Sequence, residues 1–342
     1  MSELPPTSND GMKKTILSSI RAALLELGSA TKVELSHKLG ISFPTVSKFL
    51  TQMEKDGEIF SAGLDGSSGG RRAKRYVYNP DYLLGLALFL EKAETNYTIF
   101  NASGEIKEQG TTSGVLLDPV ICLSEQIGKI LAKYPKIGSI AVGVPGAVNN
   151  GRIIYIPGYE QFHHFDLKSD FEERFSVPVA VENDMNAAIL GYSLNAAKTE
   201  NPSMIYLYFG QNGPGAGILV NGDVVRGSTF FSGEVSFVPQ YDDRNFLQAL
   251  KREAGPEEIA DCEKEIDAIS RLVASFTAIL NPHAIIFCDD EANRQLLDRI
   301  ASRSAAYIPE EHLPELTTSD WKRDYLRGLQ RLGLDLMIRE KR

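Results

Sequence analysis

From about residue 82 onward, short apolar runs alternate with longer amphipathic stretches, and this alternation constrains the fold more than any other feature. The apolar runs predict strands at 83–90, 95–101, 137–144, 151–156, 178–181, 204–209, 218–220 and 284–288. Helical spacing of apolar residues predicts helices at 119–133, 167–175, 186–196, 257–280 and 321–338. Strands that alternate with helices form sheets covered by helices. Because the two sets of strands separate near 199–202, the sequence predicts two α/β lobes with a cleft between them.

The first 56 residues have a different pattern, which predicts three short helices. Apolar residues at helical spacing indicate a helix over 12–27, and Thr31 with Glu34 forms a capping box that opens a second helix. A third helix is expected from Ser42. Its polar face carries Thr45, Lys48 and Gln52. This arrangement predicts a helix-turn-helix whose third helix enters the major groove of double-stranded DNA.

The segment that follows, 57–80, predicts a wing, which is a hairpin whose tip contacts DNA. Two β-like runs flank a Gly/Ser loop that leads into Arg71 and Arg72, and arginines in this position contact phosphates or the minor groove. Residues 1–80 contain 11 Lys and Arg against 8 Asp and Glu, whereas the whole chain carries a net charge of −9. A basic head on an acidic body is typical of a DNA-binding module fused to a domain that does not touch DNA. The alternative is a solvated linker with a basic cluster.

Composition excludes several other classes of protein. The first ten residues lack the basic and apolar regions of a signal peptide, and the longest apolar run is too short to span a bilayer. The three cysteines lie far apart, so neither a disulfide framework nor a cysteine-based metal site is indicated. We therefore expect a cytoplasmic protein with no membrane partner.

A short acidic and polar motif, VENDMNAA at 181–188, follows an apolar strand and begins a helix. Its Asn183 and Asp184 offer a carboxamide and a carboxylate to a small polar ligand. The alternative is a purely structural role, because both residue types also cap helix N-termini.

These features together resemble the ROK family (repressor, open reading frame, kinase), and specifically its transcriptional regulators. The motifs that carry the resemblance are GGRRAKRYVYNP at 69–80, GVPGAV at 143–148, VENDMNAA, GPGAGILVNG at 213–222 and GEV at 233–235. The resemblance implies a winged helix-turn-helix at 1–79, followed at 80–342 by a two-lobed sugar-kinase-like domain of the actin and hexokinase fold, which is ribonuclease H-like. Lobe one would comprise about 80–200 and the C-terminal helix 320–342, and lobe two about 201–319.

The chain departs from the kinase pattern where relatives hold nucleotide. Active members resemble one another in an Asp-x-Gly-Gly-Thr loop, but here the stretch 85–97 has Ala87 in place of the aspartate and no glycine pair. Glycines there let backbone N–H groups approach phosphate oxygens. The second loop, usually Gly-Thr-Gly, reads Gln211, Asn212 and Gly213. The sequence therefore predicts no enzyme activity and no nucleotide cofactor.

The zinc motif of the family is altered as well. Relatives carry Gly-His after the Gly-Glu dipeptide and then a cysteine cluster, but here Ser236 and Phe237 follow, and 238–250 contains no cysteine. Structural zinc requires thiolate or imidazole ligands. We therefore expect no metal, and we expect packing of Phe230, Phe231 and Phe237 to support this segment instead.

The sugar-facing half of the family pattern is retained. The resemblance implies that Asn183 and Asp184 bind sugar hydroxyls, that Glu234 contacts the anomeric end, and that Asp184 occupies the position of the kinase base. His163 and His164 fall near sugar-contacting positions or are solvated loop residues. The chain is thus expected to be a homodimeric repressor of carbohydrate genes with a sugar effector. The alternatives are an active kinase with a DNA-binding head, and a regulator with an inactive sugar pocket that a protein partner switches.

Overall fold

The computed structural model describes residues 9–64, 73–91, 94–113, 120–156, 159–194, 201–210, 213–241, 243–250 and 263–339. The N-terminal part consists of three helices and a small antiparallel sheet with strand order β1-β3-β2. Its elements are α1 (Asn9–Leu27), β1 (Ala30–Thr31), α2 (Lys32–Leu39), α3 (Phe43–Lys55), β2 (Ile59–Leu64) and β3 (Lys74–Tyr78).

The predicted helix boundaries in this part are confirmed, except that α1 begins at Asn9 and not at Met12. Thr31 and Glu34 form both hydrogen bonds of the predicted capping box, so the N-terminus of α2 is satisfied by its own side chains. Ser42 is the N-cap of α3.

The first α/β unit, which we call lobe one, is built on a five-stranded sheet of order β10-β7-β4-β5-β6. Its strands are β4 (Leu84–Leu90), β5 (Glu94–Asn101), β6 (Ile106–Ser113), β7 (Ile137–Val144) and β10 (Val179–Asn183). Its other elements are α4 (Val120–Lys133), the hairpin of β8 (Ala147–Asn149) and β9 (Arg152–Tyr155), α5 (Leu167–Phe175) and α6 (Asp184–Ser193). Every residue of β7 is buried, as expected of a central parallel strand.

The second α/β unit, lobe two, has a five-stranded sheet of order β13-β12-β11-β14-β15. Its strands are β11 (Met204–Tyr208), β12 (Gly215–Val220), β13 (Asp223–Val224), β14 (Ala284–Cys288) and β15 (Glu315–Ser319). Its helices are α7 (Phe246–Leu250), α8 (Glu263–Leu280) and α9 (Arg294–Ser304). If the five strands of each sheet are numbered 1 to 5 along the chain, the sheet of lobe two has the order 3-2-1-4-5. The sheet of lobe one has the same order when it is read from its β6 edge. The two lobes therefore repeat closely similar topologies, which the sequence did not indicate.

The C-terminal helix α10 (Trp321–Arg339) connects these parts. With α6 it contributes to an apolar cluster that also contains side chains of both sheets, among them Ala141 of β7 and Ile286 of β14. At its far end, the carbonyl oxygens of Ile338 and Arg339 accept hydrogen bonds from Arg21 (3.2 Å) and Ser18 (3.3 Å) of α1. One helix therefore contacts both lobes and the N-terminal part. None of the helices in the part of the chain that the structure describes is long and apolar enough to cross a bilayer.

Candidate functional site

A small cavity lies at the carboxyl ends of β7, β10 and β11, between the two lobes. It encloses about 70 Å³, well below the roughly 300–1,000 Å³ typical of small-molecule sites. Lobe one contributes Pro145, Gly146, Asn183, Asp184 and Met185, and lobe two contributes Tyr208, Gly213, Pro214, Gly215, Ala216, Ser232, Gly233, Glu234 and Ser236. The three predicted ligand-binding residues thus line one cavity. Ends of parallel strands are a common location for ligands in α/β sheets.

Asn183 caps α6 and also positions its neighbour. Its side-chain oxygen accepts from the N–H of Asn186 (2.9 Å), which is the capping role that the sequence left open. Its amide group donates to the carbonyl oxygen of Gly146 (3.1 Å) and to Oδ1 of Asp184 (3.0 Å). Because both amide hydrogens are used, Asn183 offers a ligand only its oxygen. The helix begins at Asp184, two residues earlier than predicted, because of this cap.

Asp184 and Glu234 bring two carboxyl groups to the same cavity from opposite lobes. Oδ1 of Asp184 accepts from Asn183 and from the N–H of Met185 (2.8 Å). Burial, together with the nearby carboxylate of Glu234, raises the pKa of Asp184 to about 7. Burial also raises the pKa of Glu234. Carboxyl groups held this way are typical of functional sites.

An ion pair that the sequence did not predict joins the lobes beside this cavity. Glu182, buried at the end of β10, pairs with Arg226, which follows β13 in lobe two. The other oxygen of Glu182 accepts from the N–H of Asn183 (3.0 Å) and from the amide of Asn186 (3.1 Å). Glu182 therefore holds the VENDMNAA motif in place and ties it to lobe two.

Aromatic rings pack against one another beside β4, the strand in which the family resemblance implies a phosphate loop. Phe89 of β4 stacks on Tyr325 of α10 with ring centroids 4.4 Å apart, and Trp321 stacks on the same ring at 5.9 Å. Tyr208, at the end of β11, lies 4.7 Å from Trp321. Ala87 is buried in a regular β-strand. The rings and the uninterrupted strand leave no glycine loop in β4.

The segment around Glu234 is where the family resemblance implied a zinc motif, and we expected packing of Phe230, Phe231 and Phe237 to support it. Phe231 and Phe237 are exposed and their rings contact each other, so a supporting role for them stays a prediction. A polar contact holds the chain after this segment, because the hydroxyl of Tyr241 donates to Asp267 of α8. Asp267 also pairs with Arg271 (2.9 Å) and with Arg303 of α9. Although burial alone would raise the pKa of Asp267, the hydrogen bonds from these tyrosine and arginine side chains lower it well below its usual range. Among the described residues no group of three or more His, Cys, Asp or Glu side chains forms a metal site.

The other predicted residues that the structure describes are absent from the lining of this cavity. On α3, Lys48 and Gln52 are exposed and Thr45 is half-buried, bonded to Ser42. Arg71 and Arg72 lie outside the described residues. His163 and His164 are exposed, and the ring of His163 contacts that of Tyr155, with centroids 5.1 Å apart.

Comparison with known proteins adds three findings. The ROK family profile matches residues 92–246. The xylose repressor of Bacillus spizizenii is 28% identical over 240 residues, which cover 66% of this chain and 60% of that protein. The chain thus spans about 60% of the length of this curated relative.

Two solved structures share the fold. A ROK family transcriptional regulator, a homologue of the Escherichia coli MLC protein, superposes with a TM-score of 0.72 at 17% identity over 94% of this chain and 98% of that one. The ROK hexokinase of Thermus thermophilus gives a TM-score of 0.58 at 18% identity over 74% of this chain and 97% of that one. The two lobes therefore have the fold shared by these ROK regulator and hexokinase structures, and residues 92–246 of the chain match the ROK family profile.

Proposed function

We propose that this protein is a cytoplasmic transcriptional repressor that binds double-stranded DNA through its N-terminal part and a sugar through the cavity between its lobes. The proposed domains are 1–79 for DNA binding and 80–342 for sensing. The observation that carries the proposal is the pair of carboxyl groups of Asp184 and Glu234 in one interlobe cavity. The similarity to a protein named xylose repressor supports a sugar effector and a repressor function.

The order of helices and strands in the N-terminal part supports a winged helix-turn-helix. Its three helices precede the antiparallel pair β2 and β3, and the predicted wing residues Arg71 and Arg72 lie between those strands in the chain. Exposed Lys48 on α3 suits contact with DNA phosphates or base edges in the major groove. A homodimer would present two such parts to a pseudo-palindromic operator.

The α10 helix offers a physical connection between sugar and DNA. Its first five residues include Trp321 and Tyr325. Burial raises the pKa of the Tyr325 hydroxyl, and the nearby carboxylate of Asp184 raises it further. The last turn of α10 accepts hydrogen bonds from Arg21 and Ser18 of α1. A sugar that binds the closed lobes more tightly than the open lobes would shift α10 and with it the DNA-binding helices.

One binding experiment tests both halves of the proposal. A DNA duplex that the protein selects from a random-sequence library is titrated by fluorescence anisotropy, with and without xylose, glucose or N-acetylglucosamine. We expect one sugar to change DNA affinity about 5- to 150-fold. Asp184→Ala should abolish this response to sugar and leave DNA binding without sugar unchanged. The control is Asp223→Ala, which removes an exposed carboxylate on β13 and should retain the response. A full response in Asp184→Ala would contradict the cavity as the sensing site and favour a partner-switched regulator.

The same titration tests the DNA-binding surface. Lys48→Ala should weaken binding, and if Lys48 neutralises a DNA phosphate the slope of affinity against salt should fall by about one unit. Lys129→Ala, an exposed lysine on α4, is the control and should bind DNA normally. An unchanged affinity and salt slope in an Arg71→Ala, Arg72→Ala variant would contradict the wing.

An active sugar kinase is the second candidate, because a pKa near 7 suits Asp184 to act as a general base. Phosphoryl transfer depends mainly on positioning and charge stabilisation of the phosphates. The rings of Phe89 and Tyr325 stack beside β4. β4 itself is a regular strand with no glycine loop that could bind phosphates. We therefore expect no ATP-dependent phosphorylation of hexoses above an Asp184→Asn control. Turnover above that control, measured by a coupled assay, would establish the kinase instead.

A further inference from the structure

Two exposed aromatic rings lie next to the cavity and have no role in the proposed chemistry. Phe231 is 54% exposed and Phe237 is 59% exposed, and their ring centroids are 5.3 Å apart. They flank Glu234 in the chain at a distance of three residues on each side. Backbone hydrogen bonds connect all three, because Glu234 donates to the carbonyl oxygen of Phe231 (3.3 Å) and Phe237 donates to that of Glu234 (3.2 Å).

The segment that carries these rings is fixed at both ends, so the exposure does not come from a loosely held loop. At the start, Arg226 pairs with Glu182 of lobe one. Near the end, Gly233 accepts a hydrogen bond from the N–H of Ala216 (2.8 Å). A Cβ on Gly233 would lie 2.1 Å from the carbonyl oxygen of Ala216, so only glycine permits this approach.

The backbone before the aromatic pair is strained. Phe230 has a φ of 61°, in the left-handed region that is unfavourable for a large L-residue. Strain of this kind concentrates at functional sites, where surrounding contacts impose it. Here it turns the chain so that Phe231 faces outward while Ser232 and Glu234 line the cavity.

The exposed area of these two rings is too small to form the interface with a second copy of the chain. A phenylalanine side chain buries about 150–250 Å² when fully covered, so the exposed halves of two rings supply on the order of 200 Å². A stable dimer buries about 800 Å² on each partner. The neighbouring Gly227, Ser228 and Thr229 are exposed and polar or small, and add little apolar area. The exposed apolar area of the pair is suited to contact with one small apolar group of a ligand.

We propose that the effector is amphipathic, namely a glycoside that carries an apolar aglycone, and that Phe231 and Phe237 bind the aglycone while Asp184 and Glu234 bind the sugar. This inference rests on the proposed sugar site and specifies its ligand class. The carboxyl groups discriminate hydroxyls in the cavity, and the aromatic rings discriminate the substituent at its edge. A free monosaccharide would use only the first set of contacts.

The test compares matched glycosides by isothermal titration calorimetry on the full chain. The probes are the methyl and phenyl β-glycosides of glucose, xylose and N-acetylglucosamine. We expect the wild type to bind one phenyl glycoside at least about tenfold more tightly than its methyl counterpart. The double variant Phe231→Ala, Phe237→Ala should lose this preference and bind the methyl glycoside as before. Phe60→Ala, an exposed phenylalanine on β2, should keep the preference.

The other outcomes separate this inference from the proposed function. If methyl and phenyl glycosides bind equally, or if the double variant keeps the preference, the aglycone site is wrong and the sugar site stands. If no glycoside binds at millimolar concentration, the sugar site fails and the aglycone site fails with it. If the double variant instead loses self-association in sedimentation, a second copy is the occupant and the inference is overturned.

Discussion

Asp184 holds its carboxyl group where the charged form is disfavoured. Burial is the largest cause and the nearby Glu234 is another, and together they raise the pKa of Asp184 from 3.8 to about 7. The folded protein therefore binds this proton more tightly than the unfolded chain does. By linkage, the contribution of Asp184 to stability is present below about pH 4 and is lost as the pH rises through about 7.

The neutral amide of Asp184→Asn should therefore stabilise the protein at pH 8. The expected gain in the free energy of unfolding is a few kcal/mol, at about 1.4 kcal/mol per pKa unit, and it should shrink toward zero at pH 4.5. Urea unfolding at the two pH values measures it. Asp166→Asn is the control. The hydrogen bond from the N–H of Ser169 is the largest cause that lowers the pKa of Asp166. The change in the free energy of unfolding should therefore have the opposite sign, a loss of stability at pH 8. A gain that is equal at both pH values would contradict the raised pKa of Asp184.

Sequence identified single residues of the site only where they are adjacent in the chain. Asn183 and Asp184 stand out as a polar pair after an apolar strand, and the family resemblance added Glu234. The ion pair of Glu182 and Arg226 joins positions 44 residues apart, and only the packing of two lobes brings them together. The exposure of Phe231 could not be predicted, because local hydrophobicity does not reveal which side of a turn faces solvent.

At the scale of elements, sequence predicts the buried strands and misses the polar ones. Central strands such as β7 and β14 are continuous apolar runs. The edge strands β6 (IKEQGTTS) and β15 (ELTTS) were not predicted, because an edge strand exposes polar side chains and lacks an apolar signature. Helix α9 was missed for a similar reason, since charged residues separate its few apolar positions.

Glycines let the backbones of α6 and α10 approach each other closely where the helices cross. A Cβ on Gly328 would lie 1.9 Å from the carbonyl oxygen of Ala187, and one on Gly191 would lie 1.8 Å from that of Asp324. No side chain can move aside here, because the neighbouring atoms belong to the backbone. The crossing fixes the start of α6, and hence Asp184, relative to the far end of α10.

Gly328→Ala should therefore destabilise the protein although alanine is the better helix former. We expect a loss of about 1–3 kcal/mol from overpacking, measured by urea unfolding. Gly128→Ala on α4 is the matched control, because a Cβ there meets nothing within 4 Å, and it should stabilise by roughly 0.5–1 kcal/mol. Equal effects of the two substitutions would show that the crossing tolerates a wider separation.

At the scale of the whole molecule, the two lobes stand close together in this structure. The cavity of about 70 Å³ is smaller than a typical small-molecule site, so we expect the lobes to separate when a sugar enters. The ion pair of Glu182 and Arg226 opposes this separation, and it ties the VENDMNAA motif directly to lobe two. Its strength therefore influences how readily the cleft opens.

Removing Arg226 should weaken the closed arrangement and leave Glu182 buried without its cation. Arg226 is 39% exposed, so we expect Arg226→Ala to cost about 1–3 kcal/mol, less than for a fully buried pair. Adding Glu182→Gln should recover part of this cost, because no buried charge is left unpaired. Small-angle X-ray scattering should show a larger radius of gyration for both variants than for the wild type. Arg152→Ala, which removes an ion pair with Asp166 inside lobe one, should leave the scattering unchanged. Identical scattering from Arg226→Ala and the wild type would mean that apolar contacts around α6 and α10, and not this ion pair, keep the lobes together.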